Sequence, residues 1–200
     1  KETDTLFLHK DVDIEYLQRC LGNVRVVYDL YHPFKPMKFE YEAIIAPRNE
    51  EQIDVIDFIT GQGYHDNGND SQIFLVKDPG FGKTFCSGVG LCKLKMKTLI
   101  IMHRDALRRQ WLDSLFNMNG LSTNEVHEID SSEELEAIAK GKLHPDYDVY
   151  LMTHATFRAG LNRIQKMQYV MNITKNLGIG LKIIDEAHLE FRDTLIMDFC

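Results

Sequence analysis

SQIFLVKDPGFGKTFCSG, residues 71–88, carries an apolar run at 73–76 into Gly80 and Gly82, which flank Phe81, and then into Lys83 and Thr84. So bare a backbone at the end of an apolar run suits an anion. Without a Cβ to intrude, consecutive amides turn toward one phosphate, and a helix that starts there adds the positive end of its dipole. Lys83 can bridge terminal phosphates, and the Thr84 hydroxyl can hold Mg2+ at the helix N-terminus. The full pattern G-x-x-x-x-G-K-[ST] asks for glycine at position 77, where this chain has Lys77. A glycine-rich turn between strand and helix also arises for tight packing alone, so the loop needs a partner elsewhere in the chain.

Around it, short apolar runs alternate with helical patterns. The run at 73–76 is expected to be a strand and 84–94 the helix after the glycines. TLIIM at 98–102 predicts a second strand, followed by ALRRQWLDSLF, in which Leu107, Trp111 and Leu115 recur as one apolar helix face. EVHEI at 125–129 predicts a short strand, and Ser131 with Glu134 three positions later forms a capping box that starts a helix. Apolar runs at 149–153 and 181–184 predict two more strands, with helix between them over about 155–176. This alternation implies a mostly parallel α/β sheet with helices on both faces, whose ligands sit at the carboxyl ends of the strands. The loop at 78–84 lies where binding is expected. Upstream, a helix at about 50–60 precedes a polar, glycine-rich loop at 61–70, and the N-terminal region predicts a helix at 13–21 and a strand at 24–29.

Composition limits the function classes. The 200 residues are 44% hydrophobic and 26% charged, with five prolines, enough for one good core and no long disordered tract. No run of eighteen apolar residues and no basic-then-apolar leader occurs, so the chain is expected in the cytoplasm, or in the host cytoplasm if it is phage-encoded. A net charge of −7 argues against a general polyanion binder but leaves room for a local basic patch. Cys20, Cys86, Cys92 and Cys200 form no C-x-x-C pair, and the histidines at 9, 32, 65, 127 and 144 lack ligand spacing, so structural roles are expected for them.

The loop's partner is LKIIDEAHLEF, residues 181–191. Asp185, at the end of an apolar strand, can hold the Mg2+ shell, and Glu186 beside it can orient and deprotonate an attacking water. Such a pair can also be an ordinary acidic turn or helix start. Loop and carboxylates in this order each supply what the other lacks for metal-assisted phosphoryl chemistry.

GFGKT followed about a hundred residues later by Asp185, Glu186, Ala187 and His188 resembles the first RecA-like motor domain of superfamily 2 helicases and translocases, of the DEAH-box or type III restriction-like branch. The resemblance covers about 46–200, leaving 1–45 as a small α+β appendage that could bind nucleic acid or a partner protein. It implies ATP and Mg2+ as cofactors, with Gly80, Phe81, Gly82, Lys83 and Thr84 around the phosphates, Thr84 and Asp185 on the metal, and Glu186 as catalytic base with Lys83 and Asp185. It implies that His188 couples the nucleotide site to nucleic acid. PRNEEQIDVI at 47–56 resembles the adenine-reading segment, with Gln52 on the base edge; Arg48 stands four residues ahead of it, where the commoner spacing is three. TLIIMHRDALRRQW and VYLMTHATF resemble the segments that hold the nucleic-acid backbone, with Arg104 and Thr153 as contacts, although His103-Arg104 replaces the usual proline-threonine.

The implied partners are nucleic acid, DNA rather than RNA, and a second motor domain carrying an arginine finger; no membrane is implied. The apolar helical pattern of FRDTLIMDFC continues to the last residue without a cap, so the chain reads as an N-terminal fragment whose isolated activity is nearly nil. Three other readings stay open. A small-molecule kinase is disfavoured by the water-activating glutamate, whereas an ATP-binding switch module and the ATPase motor of a restriction-type nuclease fit the same residues.

Overall fold

The protein's structure, a computed structural model, describes residues 35–38, 40–61, 73–161 and 166–186, all within the larger of two units, His32–Cys200. The elements expected at 13–21 and 24–29, the loop at 62–70 and His188 lie outside the described residues.

In chain order the elements are α1 (Glu50–Thr60), α2 (Lys83–Leu94), β1 (Thr98–Met102), α3 (Ala106–Asp113) running into a π-helical turn (Ser114–Met118), β2 (Val126–Ile129), α4 (Ser132–Ala139), β3 (Val149–Thr153), α5 (His154–Leu161), α6 (Lys166–Leu177) and β4 (Leu181–Ile184). Local chemistry sets most of these bounds. The Asn49 side chain accepts the Gln52 N–H at the start of α1, and the Ser131 hydroxyl accepts the Glu134 N–H at the start of α4. The helical stretch expected over 155–176 is divided between α5 and α6.

Among the described residues four strands form one sheet in the order β2-β3-β1-β4, with every pairing parallel. Residues of β1 and β3 are buried throughout, as expected of a sheet covered on both faces. Strand parity divides the core. Leu99, Ile101, Tyr150 and Met152 pack with Leu135, Ile138, Phe157 and Ile173 of α4, α5 and α6. Ile100, Met102, Val149 and Leu151 pack on the other side with Leu91 of α2, Trp111 of α3 and Leu115. A third cluster, Val55, Ile56, Phe85, Cys86 and Val89, joins α1 to α2. Cys86 and Cys92 are free and buried in α2, and burial pushes the Cys92 thiol up to about 12, so it behaves as an apolar filler. No helix among the described residues is long and apolar enough to cross a membrane.

One expected strand is absent. Residues 73–78 form no ladder, and Ile73, Phe74 and Val76 are exposed. A strand exists only through its neighbours' hydrogen bonds, and among the described residues β4 pairs with β1 alone and no strand lies beside 73–76.

Residues 35–38 and 40–45 strap across the amino ends of the strands. The Met37 N–H donates to the Lys95 carbonyl, the Lys38 N–H and the Tyr41 hydroxyl donate to the Asp148 carboxylate, and the Ile44 N–H donates to the Met118 carbonyl. Beneath them the buried Lys97 ammonium pairs with Asp146, which also meets Lys38. The hydrogen bond from Lys97, and then that from Lys38, holds the Asp146 carboxyl down to about 2 from its ordinary 3.8. A depressed carboxylate contributes stability above its unfolded value and loses it as pH falls through its folded value. Replacing Asp146 with asparagine is expected to cost about 1–2 kcal/mol near neutral pH, because Lys97 stays buried without its charge partner while the exposure of Asp146 limits the effect. Thermal melts taken from about pH 4 to about pH 2 should lose more stability in the unaltered protein than in Asp146→Asn. Equal losses would show that the pair does not set stability.

Candidate active site

The glycine loop turns where its sequence demands. Gly80 and Gly82 have φ of 80° and 99°, a region that side chains rarely enter. At Gly82 a Cβ would also lie 2.7 Å from Gln52 Nε2, so no larger residue fits without moving that side chain. Gly82 is also the N-cap of α2, which places Lys83 and Thr84 at its first turn.

Two residues of the 47–56 segment brace this loop through its carbonyls. Arg48 donates to the carbonyls of Gly80 and Phe81 at 3.1 and 2.8 Å, and Gln52 Nε2 donates to the Phe81 carbonyl at 2.7 Å. Gln52 Oε1 in turn accepts the Arg48 backbone N–H at 2.8 Å, and the side chain is buried at 1% exposure. Asn49 caps α1 and so holds Gln52 in its first turn. The four-residue spacing of Arg48 and Gln52 therefore serves the loop: one residue on either side of the cap reaches the Phe81 carbonyl, and Arg48 reaches that of Gly80 as well.

Lys77, at the position where the pattern asks for glycine, carries no left-handed backbone, since Lys95 and Glu186 are the non-glycine residues with positive φ among those described. Its ammonium pairs with Glu51 of α1 at 2.5 Å and stands 5.0 Å from the centre of the Phe81 ring. A side chain committed to α1 and Phe81 leaves the loop interior clear. Lys83 folds over that interior, its ammonium donating to the carbonyls of Lys77 and Asp78 at 2.7 and 3.3 Å.

The carboxylates arrive from the end of β4. The Asp185 N–H continues the parallel ladder by donating to the Ile101 carbonyl, which fixes where β4 ends. Glu186 follows in a turn at φ 55°, a left-handed conformation that costs an L-residue about 1–2 kcal/mol and that folds tolerate where surrounding structure enforces it. A cavity of about 520 Å³ is lined by Arg48, Gln52, Gly80, Gly82, Lys83, Thr84, Asp185 and Glu186 together with the apolar side chains of Ile45, Phe85, Leu107 and Met118. Residues separated by a hundred positions thus face one space. The donor set fits Mg2+: a hydroxyl and a carboxylate are hard oxygen ligands, and neither cysteine nor histidine lines the cavity.

Two members of the site were missed by sequence reasoning. Gln110 Nε2 donates to the Thr84 hydroxyl at 3.1 Å, and Trp111 Nε1 donates to Asp185 Oδ2 at 2.8 Å. In the sequence Trp111 belongs to an apolar helix face, and it is indeed 2% exposed. A signal existed: a buried indole N–H needs an acceptor, so a tryptophan on a core face implies a polar partner.

Arg104 and Thr153 come to the same edge of the sheet, because β1 and β3 are adjacent and their last residues, Met102 and Thr153, are in register. Their exposure differs. Arg104 is exposed, whereas Thr153 is buried at 8% and its hydroxyl oxygen accepts the Thr156 N–H at the start of α5. The rings of His103 and His154 stack near this edge at 6.5 Å. Arg108, one turn along α3, is tied to Asp105, Glu128 and Asp130, while Arg109 is exposed.

No curated protein matches the chain. Residues 37–194, well over half of its length, match the family described as Type III restriction enzyme, res subunit, and the parallel sheet agrees with the RecA-like fold of such proteins. The chain therefore belongs to the type III restriction enzyme res subunit family, as a superfamily 2 helicase-like ATP-binding motor domain.

Proposed function

We propose that this domain binds Mg-ATP over the glycine loop and hydrolyses it to drive movement along nucleic acid, as the nucleotide-binding half of a helicase or translocase. The observation that carries this reading is the convergence of Lys83, Thr84, Asp185 and Glu186 on one cavity. The backbone from Gly80 to Gly82 and the Lys83 ammonium hold the phosphates, and Arg48 and Gln52 keep the loop in shape through its carbonyls. The apolar lining at Ile45 and Met118 suits a purine, with Gln52 near enough to the loop to read its edge. Thr84 and Asp185 would hold Mg2+, which when bound neutralises charge on the phosphate oxygens. Glu186 accepts the proton of the water that attacks the terminal phosphate, and the nucleoside diphosphate leaves.

The carboxyl edge beside β1 and β3 is proposed as the nucleic-acid face, with Arg104 as its cation, Thr153 acting through the start of α5, and His188 as the link back to the nucleotide. The family's restriction-enzyme description favours DNA over RNA, and a second motor domain is proposed to complete the cleft. Hydrolysis of Mg-ATP by the full-length protein, stimulated by single- or double-stranded DNA, is the direct test. ATP binding without stimulated phosphate release would favour the switch-module reading instead.

Arg104→Ala tests the face itself. A phosphate contact carries no base information, so affinity should fall by a similar factor for every sequence, and the salt dependence of binding should lose about one unit of slope. Loss confined to one sequence would make Arg104 a base-reading residue and remove it from the proposed track.

A further inference from the structure

We propose that the consecutive pair Gln110-Trp111 is the positioning device of the metal site. This inference rests on the nucleotide reading above and adds to it the residues that set the geometry of the two proposed Mg2+ ligands. Gln110 donates to Thr84 Oγ1 and Trp111 to Asp185 Oδ2, so one step of α3 holds both ligands, which come from different elements and lie far apart in sequence. With Oδ2 engaged by the indole, Oδ1 is the Asp185 oxygen left for a metal, and the carboxylate plane is set by a ring buried at 2% exposure in the core. The Gln110 amide likewise restricts the Thr84 hydroxyl. Partners that orient metal ligands in this way tune metal affinity without touching the metal.

The helix that carries the pair is itself held firmly. Arg108 ties it to Glu128 and Asp130 on and just after β2, and Trp111 and Leu115 anchor it in the core. Its end widens into the π-helical turn, from which the Ser114 hydroxyl donates to the Thr84 carbonyl at 3.4 Å. Single π-helical turns inside helices occur often at functional sites, and this one brings a second contact onto Thr84. The Leu107 N–H donates to the Arg104 carbonyl, so the same rigid element begins at the proposed nucleic-acid cation and reaches the metal ligands two turns later.

Trp111 is the single tryptophan of the chain, so its emission reports this hydrogen bond directly. The experiment titrates the 200-residue chain with ADP in EDTA and then with Mg2+ at saturating ADP, following tryptophan emission and, separately, nucleotide affinity by calorimetry. Emission is expected to change on addition of Mg2+ well beyond any change with ADP alone. In Trp111→Phe, which keeps an aromatic ring but loses the N–H, ADP affinity in EDTA should stay as it was, and the Mg2+ concentration needed for half-maximal tightening should rise about tenfold or more. Gln110→Ala, at an exposed position, should raise the Mg2+ requirement in the same direction, and it decides the matter with the emission titration if the phenylalanine variant fails to fold. A merely structural role predicts equal loss of affinity with and without Mg2+, and that result, or an unchanged Mg2+ requirement in both variants, would overturn the inference while leaving the nucleotide site standing. Absence of any Mg-ADP binding by the unaltered chain would overturn the nucleotide reading and this inference with it.

Discussion

Glu186→Gln is expected to leave Mg-ATP affinity nearly unchanged while lowering turnover in the full-length protein by about 10²- to 10⁴-fold, the usual contribution of a positioned general base. The amide has the size and hydrogen-bonding reach of the carboxylate but cannot accept a proton at neutral pH. Position matters as much as chemistry here. Glu186 lines the same cavity as Lys83 and Thr84, and its left-handed backbone at φ 55° directs the turn after β4. Glutamine inherits that backbone cost, so folding stability should not move. Phosphate release at saturating nucleotide, set beside calorimetric affinity, separates the two effects, since a group needed only in the transition state lowers kcat without raising KM. A parallel loss of affinity would mean that Glu186 holds the nucleotide or its metal, and the proton-accepting role would have to be given up.

Lys83→Ala should do the opposite and act on binding. Charged hydrogen bonds contribute about 1.5–3 kcal/mol each, which converts to about 10- to 100-fold in nucleotide affinity. Lys83 is also the residue whose ammonium closes the loop onto the Lys77 and Asp78 carbonyls, so the ligand-free variant should melt slightly lower as that tether is lost. Lys83→Arg should not restore affinity: the planar guanidinium is a fork, and the enclosed position over the loop suits a compact point charge. The measurement is nucleotide titration of the unaltered chain and both variants. Affinity unchanged in Lys83→Ala would show that the phosphates lie elsewhere, and the assignment of the loop would fail. Together the two substitutions separate holding the nucleotide from activating water, and a site that did neither would show no difference between them.

Much of the sheet was legible because its signals are local. Short apolar runs at 98–102 and at 149–153, each with β-branched residues, read as strands, and the structure buries every residue of both; Ser131 with Glu134 marks a helix start within four residues. The strand expected at 73–76 had the same apolar signature, yet no ladder forms there, because pairing is a property of neighbours and not of the run itself. Thr153 shows the same limit on a smaller scale. Its place at a strand end was readable, but not that its hydroxyl would serve as a helix cap.

What the sequence alone determined is the alternation of strand and helix, the two glycines that free the backbone to turn, and the order of lysine, threonine, aspartate and glutamate along the chain. Apolar periodicity, capping and backbone freedom act over a few residues, so they can be read without knowing the fold. Only the tertiary structure decided which groups meet. The strand order β2-β3-β1-β4 brings β4 beside β1 and so sets Asp185 against Trp111, which lies 74 positions earlier. It also turned Lys77 away toward Glu51, and it put Arg48 and Gln52 on the Phe81 carbonyl of the loop. Such partners are chosen by the packing of whole elements, where a single hydrogen bond is too weak to dictate the arrangement and is instead the consequence of it.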